Sequence, residues 1–248
     1  MMDAKRALIE ADGDPSEAAK WLRERGLGKA AERTDRENVE GSIGVAVAHG
    51  AAALVELKSE TDFVAKSTQF VEFVEELASA VASEGEGVVD ARKDALDDLK
   101  LTLKENIEVG RVVRFVASAG NVLDSYLHVQ NGRGVNGVLV EISGGTAELA
   151  HHVAVHIAFG RPSVLRREDV PAGDVEAERA ALEAQTRNEG KPEQALSKIV
   201  EGRLDGWYKR VPGGVLLEQP YARDDKQTVL QVLHGAEVVR FAQAVIGS

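Results

Sequence analysis

No cysteine occurs among the 248 residues of the chain. Structural disulfides, thiolate zinc sites and cysteine nucleophiles are therefore excluded, and a reducing cytosol is compatible with the sequence. No apolar run approaches the roughly eighteen uninterrupted residues that a membrane-spanning helix needs. Aromatic residues make up only 4%, so the core must rest on Val, Leu, Ile and Ala. Bases are in the minority as well: 30 Lys and Arg face 41 Asp and Glu, for a formal net charge of -11. They do not cluster, the longest runs being short pairs such as Arg166-Arg167 and Lys209-Arg210. A uniformly acidic surface repels phosphate backbones, which argues against nucleic acid as a direct partner. The opening "MMDAKRALIEADGD" is amphipathic and charged, without the apolar segment or cleavage site of a signal peptide.

Signatures of catalysis are equally scarce. No phosphate-binding GxxxxGK[ST] loop, no GxGxxG between strand and helix, no GxSxG elbow and no HExxH occurs. The glycines of "NGRGVNG" lie between two strand patterns and read as a hairpin loop. One cluster could bear chemistry: His151, His152 and His156. His152 and His156 are one helical turn apart, with Glu148 a further turn back, so a metal-dependent enzyme is one reading. The other is an amphipathic helix carrying histidines at its margin.

What is present is a readable succession of elements. "MMDAKRALIEADGD" predicts a helix with Met2, Ala7 and Leu8 near one face, ended by Gly13. Asp14 caps a second helix that begins at Pro15, carries Trp21 and Leu22, and is expected to stop at Gly26. A stable helical mini-domain usually needs a third helix, so residues 1–36 are expected to form a truncated helical module and linker. Beyond Gly44 the period changes to two. "GVAVAHGAAALVEL" predicts two strands about His49-Gly50, and "KSTQFVEFVEELASAVAS" a helix with Phe70, Val74, Leu77 and Val81 on one face. "DARKDALDDLKLTLKEN" follows as one helix, then "EVGRVVRFVAS", "VLDSYLHVQ" and "GVLVEIS" as strands. The layout is α+β, with helices on one face of largely antiparallel sheets. The second half repeats this grammar from the helix "TAELAHHVAVHIAFG" through "GGVLLEQPY" and "KQTVLQVLH" to the last strand, "AEVVRFAQAVIG". An excursion at 174–210 breaks at "NEGKPEQ" into two helical arms, Val175 and Leu182 facing Leu196, Val200, Leu204 and Trp207. At 1.5 Å per residue such a hairpin would project roughly 20 Å, a form suited to touching a partner. The expected divisions are 1–36, a core subdomain at 37–120 and a second at 121–248 that contains the hairpin.

The stretch "SETDFVAKS", residues 59–67, sits between a strand and a helix. Its Phe63 follows an acid and a Thr, at the lip of a turn. From the residues alone it could fill this core or something outside it. "TDFVAK" in this setting resembles the signature of the elongation factor Ts family. "MMDAKRALIEADGD", "SYLHVQNGRGVNGVLVEI", "GKPEQALSKIVEGRL" and "LEQPYARDDKQTV" agree with that family in order and spacing, over nearly the whole chain. The resemblance implies a guanine-nucleotide exchange factor for elongation factor Tu, acting in the bacterial cytoplasm without covalent catalysis, cofactor or metal. It implies a ubiquitin-associated-like helical module, a core of two α+β subdomains and an antiparallel helical hairpin. It further implies that Asp62 and Phe63, flanked by Thr61, Val64 and Ala65, wedge into the partner's G domain and disturb its magnesium site. Lys5, Tyr126, His128, Ala222 and Arg223 match positions that approach the partner. A protein of the same fold that binds without exchanging nucleotide, as an adaptor or chaperone, is the remaining alternative.

Overall fold

The computed structural model describes residues 2–247. Two helices open the chain, α1 (Met2–Glu10) and α2 (Pro15–Ala31). Asp14 starts α2 as read from the sequence, its carboxylate accepting the amides of Ser16 and Glu17 at 2.7 and 3.2 Å. The helix does not stop at Gly26. Gly26 is a crossing point: a Cβ there would lie 2.4 Å from Cδ2 of Leu101 on the helix α6 described below. This glycine admits a neighbour and is no stop signal.

The sheet that follows is a meander of β1 (Glu40–Ala48), β2 (Ala51–Ser59) and β3 (Glu108–Val116), antiparallel in the order β1-β2-β3. Between β2 and β3 the chain makes the short turn α3 (Asp62–Ala65), then α4 (Thr68–Glu84), α5 (Val88–Ala91) and α6 (Lys93–Leu103). The single helix expected around 90–106 is thus two, broken at Arg92, and α6 ends where Lys104 takes a left-handed conformation at φ 61°. α4 buries Phe70, Val74, Leu77, Ala78 and Val81 against Val55, Leu57 and Ile107. Each such side chain removed from water contributes about 1.5–3 kcal/mol. The close seat of α4 depends on Gly44 in β1, where a Cβ would meet the Val74 carbonyl oxygen at 2.6 Å.

The remaining strands are β4 (Val122–Gln130) and β5 (Arg133–Ser143), then β8 (Glu237–Val245), in the sheet order β4-β5-β8. Only Asn131-Gly132 forms the turn expected of "NGRGVNG". Gly134 and Gly137 belong to β5, and a Cβ on Gly134 would lie 2.2 Å from the Ile43 carbonyl oxygen. Gly134 is in the strand because another backbone passes there, and Gly137 because the Ile43, Val45 and Leu54 side chains crowd it. α7 (Ala147–Gly160), capped by Thr146, leads to the paired helices α8 (Ala172–Asn188) and α9 (Glu193–Tyr208). Arg203 of α9 reaches Thr186 and Glu189 at the end of α8, at 3.2 and 2.6 Å, while Arg179 pairs with Glu201. The seam buries Tyr208, with Trp207 half-buried beside it. A small ladder, β6 (Pro220–Tyr221) and β7 (Asp224–Thr228), and the turn α10 (Val229–Val232) complete the chain. "KQTVLQVLH" therefore divides at Thr228, which ends β7 and caps α10 in a capping box with Gln231.

Two compact units emerge. One comprises the chain through Val116, Leu127–Gly137 and the residues from Ala244 on; the other comprises Ala117–Tyr126 and Val138–Gln243. In the second, the fully buried Glu141 is satisfied by the Ser118 amide, the Asn121 side chain and Arg240, each at 2.7–2.8 Å. Burial alone would raise its pKa, but these bonds hold it below the usual carboxylate value.

Gly44→Ala is expected to destabilise the protein by about 1–3 kcal/mol, because α4 must lift from β1. Thermal unfolding followed by circular dichroism checks this; an unchanged transition would mean the two backbones are not in close contact.

Candidate functional site

Five residues after β2 decide the surface of the first unit. Thr61 is extended and caps α3, its hydroxyl accepting the Val64 amide at 3.4 Å and its carbonyl the Ala65 amide at 3.1 Å. Ala65 is fully buried and Val64 packs against the same core as α4. One turn of helix with that side inward directs Asp62 and Phe63 outward. Phe63 is 75% exposed. The choice left open by the sequence is thus decided: Phe63 does not fill this core. Ala65, expected among the partner-facing residues, is an anchor, and Val64 is half an anchor, because apolar side chains on the inner side of the turn go to the core.

Lys66 was not singled out from the sequence. Its ammonium lies 2.9 Å from an Asp62 carboxylate oxygen and 4.5 Å from the centre of the Phe63 ring. The Lys66 hydrogen bond holds the Asp62 carboxyl below the usual range, with Arg133 adding to the effect. The signal was available, since Lys66 stands four residues after Asp62 on a helical turn. A contact from further away could not be read: Glu105 accepts the Thr61 amide at 3.1 Å across 44 residues of chain.

The other expected positions are more dispersed. Lys5 is exposed on α1, between the exposed Met2 and Ile9. Tyr126 is half-buried in the second unit's core, its ring edge-on to His151 at 6.3 Å. His128 is exposed on the same strand, and Ala222 and Arg223 are exposed at the turn between β6 and β7. Among the exposed apolar side chains that the sequence did not mark are Phe159 at the end of α7 and Leu230 in α10.

The three histidines are not brought together. His151 pairs with Asp124 at 3.0 Å, whereas His156 is buried with both ring nitrogens occupied. Its Nδ1 accepts the Ala222 amide at 3.1 Å, so Nε2 carries the proton and donates to Gln219 Oε1 at 3.0 Å. Among the described residues no group of three His, Asp or Glu is placed to hold a metal ion. The helical spacing was right, but the core claimed one of the three imidazoles.

Comparison with known proteins concerns the chain as a whole. The sequence model of the family described as Elongation factor TS matches residues 60–248, beginning at the turn itself. The chain is 43% identical to the elongation factor Ts of Clavibacter michiganensis, over 100% of this chain and 93% of that protein. It is 44% identical to that of Acidothermus cellulolyticus, with 100% and 92% covered, and 41% identical to that of Mycolicibacterium vanbaalenii over the same shares. The chain belongs to the elongation factor Ts family. No described helix is long and apolar enough to cross a membrane.

Burial lowers the proton affinity of His156 below its ordinary value of 6.5, an effect that the Gln219 bond opposes. The unfolded chain then binds the proton first on acidification. Stability is complete above about pH 6.5 and falls as the pH drops through that value toward the folded one. Denaturant midpoints between pH 7.5 and 5 should decline for the wild type and decline less for His156→Leu; equal slopes would assign the acid sensitivity to another group.

Proposed function

We propose that this protein is the guanine-nucleotide exchange factor of elongation factor Tu, and that it works by docking, without a covalent step, a cofactor or a metal. The observation that carries this reading is the 75% exposure of Phe63 on a turn whose inner residues are fixed in the core. A single exposed aromatic is common on protein surfaces, but this one stands on a turn fixed from within, and aromatic side chains are enriched where proteins meet. Asp62 and Phe63 enter the partner's G domain and disturb its magnesium and phosphate site, with Thr61 and Val64 bordering the contact. Burying Phe63 in a pocket present only in the open, metal-poor conformer supplies about 2 kcal/mol or more of differential affinity. By linkage the factor then weakens nucleotide binding as much as nucleotide weakens the factor's own. The partner is engaged both with GDP bound and nucleotide-free.

The remaining surfaces extend the contact. α1 and α2 are read as the ubiquitin-associated-like module, with Lys5 facing the G domain, and α8 with α9 as an antenna. Tyr126, His128, Ala222 and Arg223 are secondary contacts. Direct binding of nucleic acid is opposed by the net charge of -11. The site of action is the bacterial cytoplasm, where the partner works.

Release of a fluorescent GDP analogue from elongation factor Tu tests the proposal. The wild type should accelerate release strongly, and Phe63→Ala should lose at least about tenfold of that effect, the equivalent of roughly 1.4 kcal/mol. Binding without acceleration by the wild type would leave a same-fold adaptor. Equal acceleration by Phe63→Ala would leave exchange intact and remove the wedge.

A further inference from the structure

Two pairs of neighbouring residues exchange side chains beneath the exposed turn. Glu105 accepts the Glu60 amide at 3.0 Å and the Thr61 amide at 3.1 Å through one carboxylate oxygen. Its other oxygen accepts the Thr61 hydroxyl. In return Glu60 accepts the Asn106 amide at 2.7 Å. The Asn106 side chain, itself buried, donates to the carbonyls of Thr34 and Arg36 at 3.3 and 2.8 Å. Arg36 closes the circuit on Glu60 at 3.4 Å. The residue that follows β2, the start of the exposed turn, the approach to β3 and the linker behind α2 are therefore tied at one knot. The left-handed Lys104 turns the chain so that Glu105 can reach it.

The Thr61 hydroxyl has two duties in this knot. It gives its hydrogen to Glu105 and uses its oxygen to accept the Val64 amide. Glu105 thereby sets the rotor of the residue that caps α3, and α3 is the turn that carries Asp62 and Phe63. A four-residue helix cannot order itself, since nucleation of an isolated turn is unfavourable. The order must come from its ends: Ala65 in the core at one, Thr61 at the other. Charge-assisted hydrogen bonds to two successive amides are the strongest anchor available to an otherwise exposed residue.

We propose that Glu105 is a positioning residue for nucleotide exchange: it touches no partner, and it holds Thr61 so that Asp62 and Phe63 are presented in one orientation before docking. This rests on the exchange reading given above. Without the clasp, the turn must be ordered during association, which weakens binding although every partner-facing side chain is retained.

The test is a cycle of wild type, Glu105→Ala, Phe63→Ala and the double variant, assayed by release of a fluorescent GDP analogue from elongation factor Tu over a range of factor concentrations. Glu105→Ala should raise the half-saturating concentration about tenfold while changing the maximal release rate less than about threefold. In the Phe63→Ala background the same substitution should add less than about twofold, because the orientation it protects no longer matters. Glu105→Gln, which keeps an acceptor for the two amides, should recover most of the loss. Hydrogen exchange of the amides of residues 60–66 should quicken in Glu105→Ala while those of α4 remain protected. Acceleration by Glu105→Ala equal to wild type, or a full tenfold loss still added in the Phe63→Ala background, overturns the positioning role and leaves the exchange reading standing. No acceleration by folded wild type overturns both.

Discussion

A single turn of helix can bury only one of its sides, and residues 61–66 are built around that constraint. Successive residues on the turn point about 100° apart, so fixing Val64 and Ala65 inward sets Asp62 and Phe63 outward. Everything nearby serves the inward half. The meander β1-β2-β3 and α4 provide the core that Ala65 enters, Gly44 lets α4 approach closely enough to complete it, and Ser67 restarts the helix on the far side. The exposed aromatic is therefore a consequence of packing; no local strain is needed to hold it out.

The polar contacts around the turn fall into two kinds of different strength. Lys66 covers both Asp62 and Phe63 from the solvent side, through an exposed ion pair and an exposed cation–aromatic contact. Exposed pairs of this sort are weak and screened by salt, so they are easily traded for contacts with another protein. The bonds to Glu105 and from Asn106 to Glu60 involve backbone amides and charged acceptors, and those of the Glu60 and Asn106 amides are partly buried. One set screens the exposed side chains. The other keeps the backbone where it is.

Local signals in the sequence were read reliably and distant ones were not. Asp14-Pro15, the two-residue turn at His49-Gly50 and the apolar face of α4 are each set within a few positions, and they appear where the sequence puts them. Gly26 and Gly134 misled because a glycine can mark a stop or an approach, and only the neighbour decides which: Leu101 for one, Ile43 for the other. His156 misled for the same reason, its partners Gln219 and Ala222 lying 63 and 66 residues away. Phe63 was visible as an oddity in its motif, but whether it faced in or out depended on Ala65 and the core it enters. Glu105, 44 residues from Thr61, had no mark in sequence at all. Nor does a strand pattern record that its two ends serve different units, as in β4 and β5.

These distances bear on how an exchange factor without an active site can be selective. A contact that bound the closed and open partner equally would hold the partner and release nothing. On the proposed exchange reading, a side chain whose position is set before the encounter meets the open partner without the cost of ordering its turn. In this fold that position is set by pieces of chain remote from the motif: a carboxylate before β3, an amide beside it, and the linker carbonyls of Thr34 and Arg36. On the proposed reading the signature makes the contact, while the position it starts from is set by residues far from it in sequence.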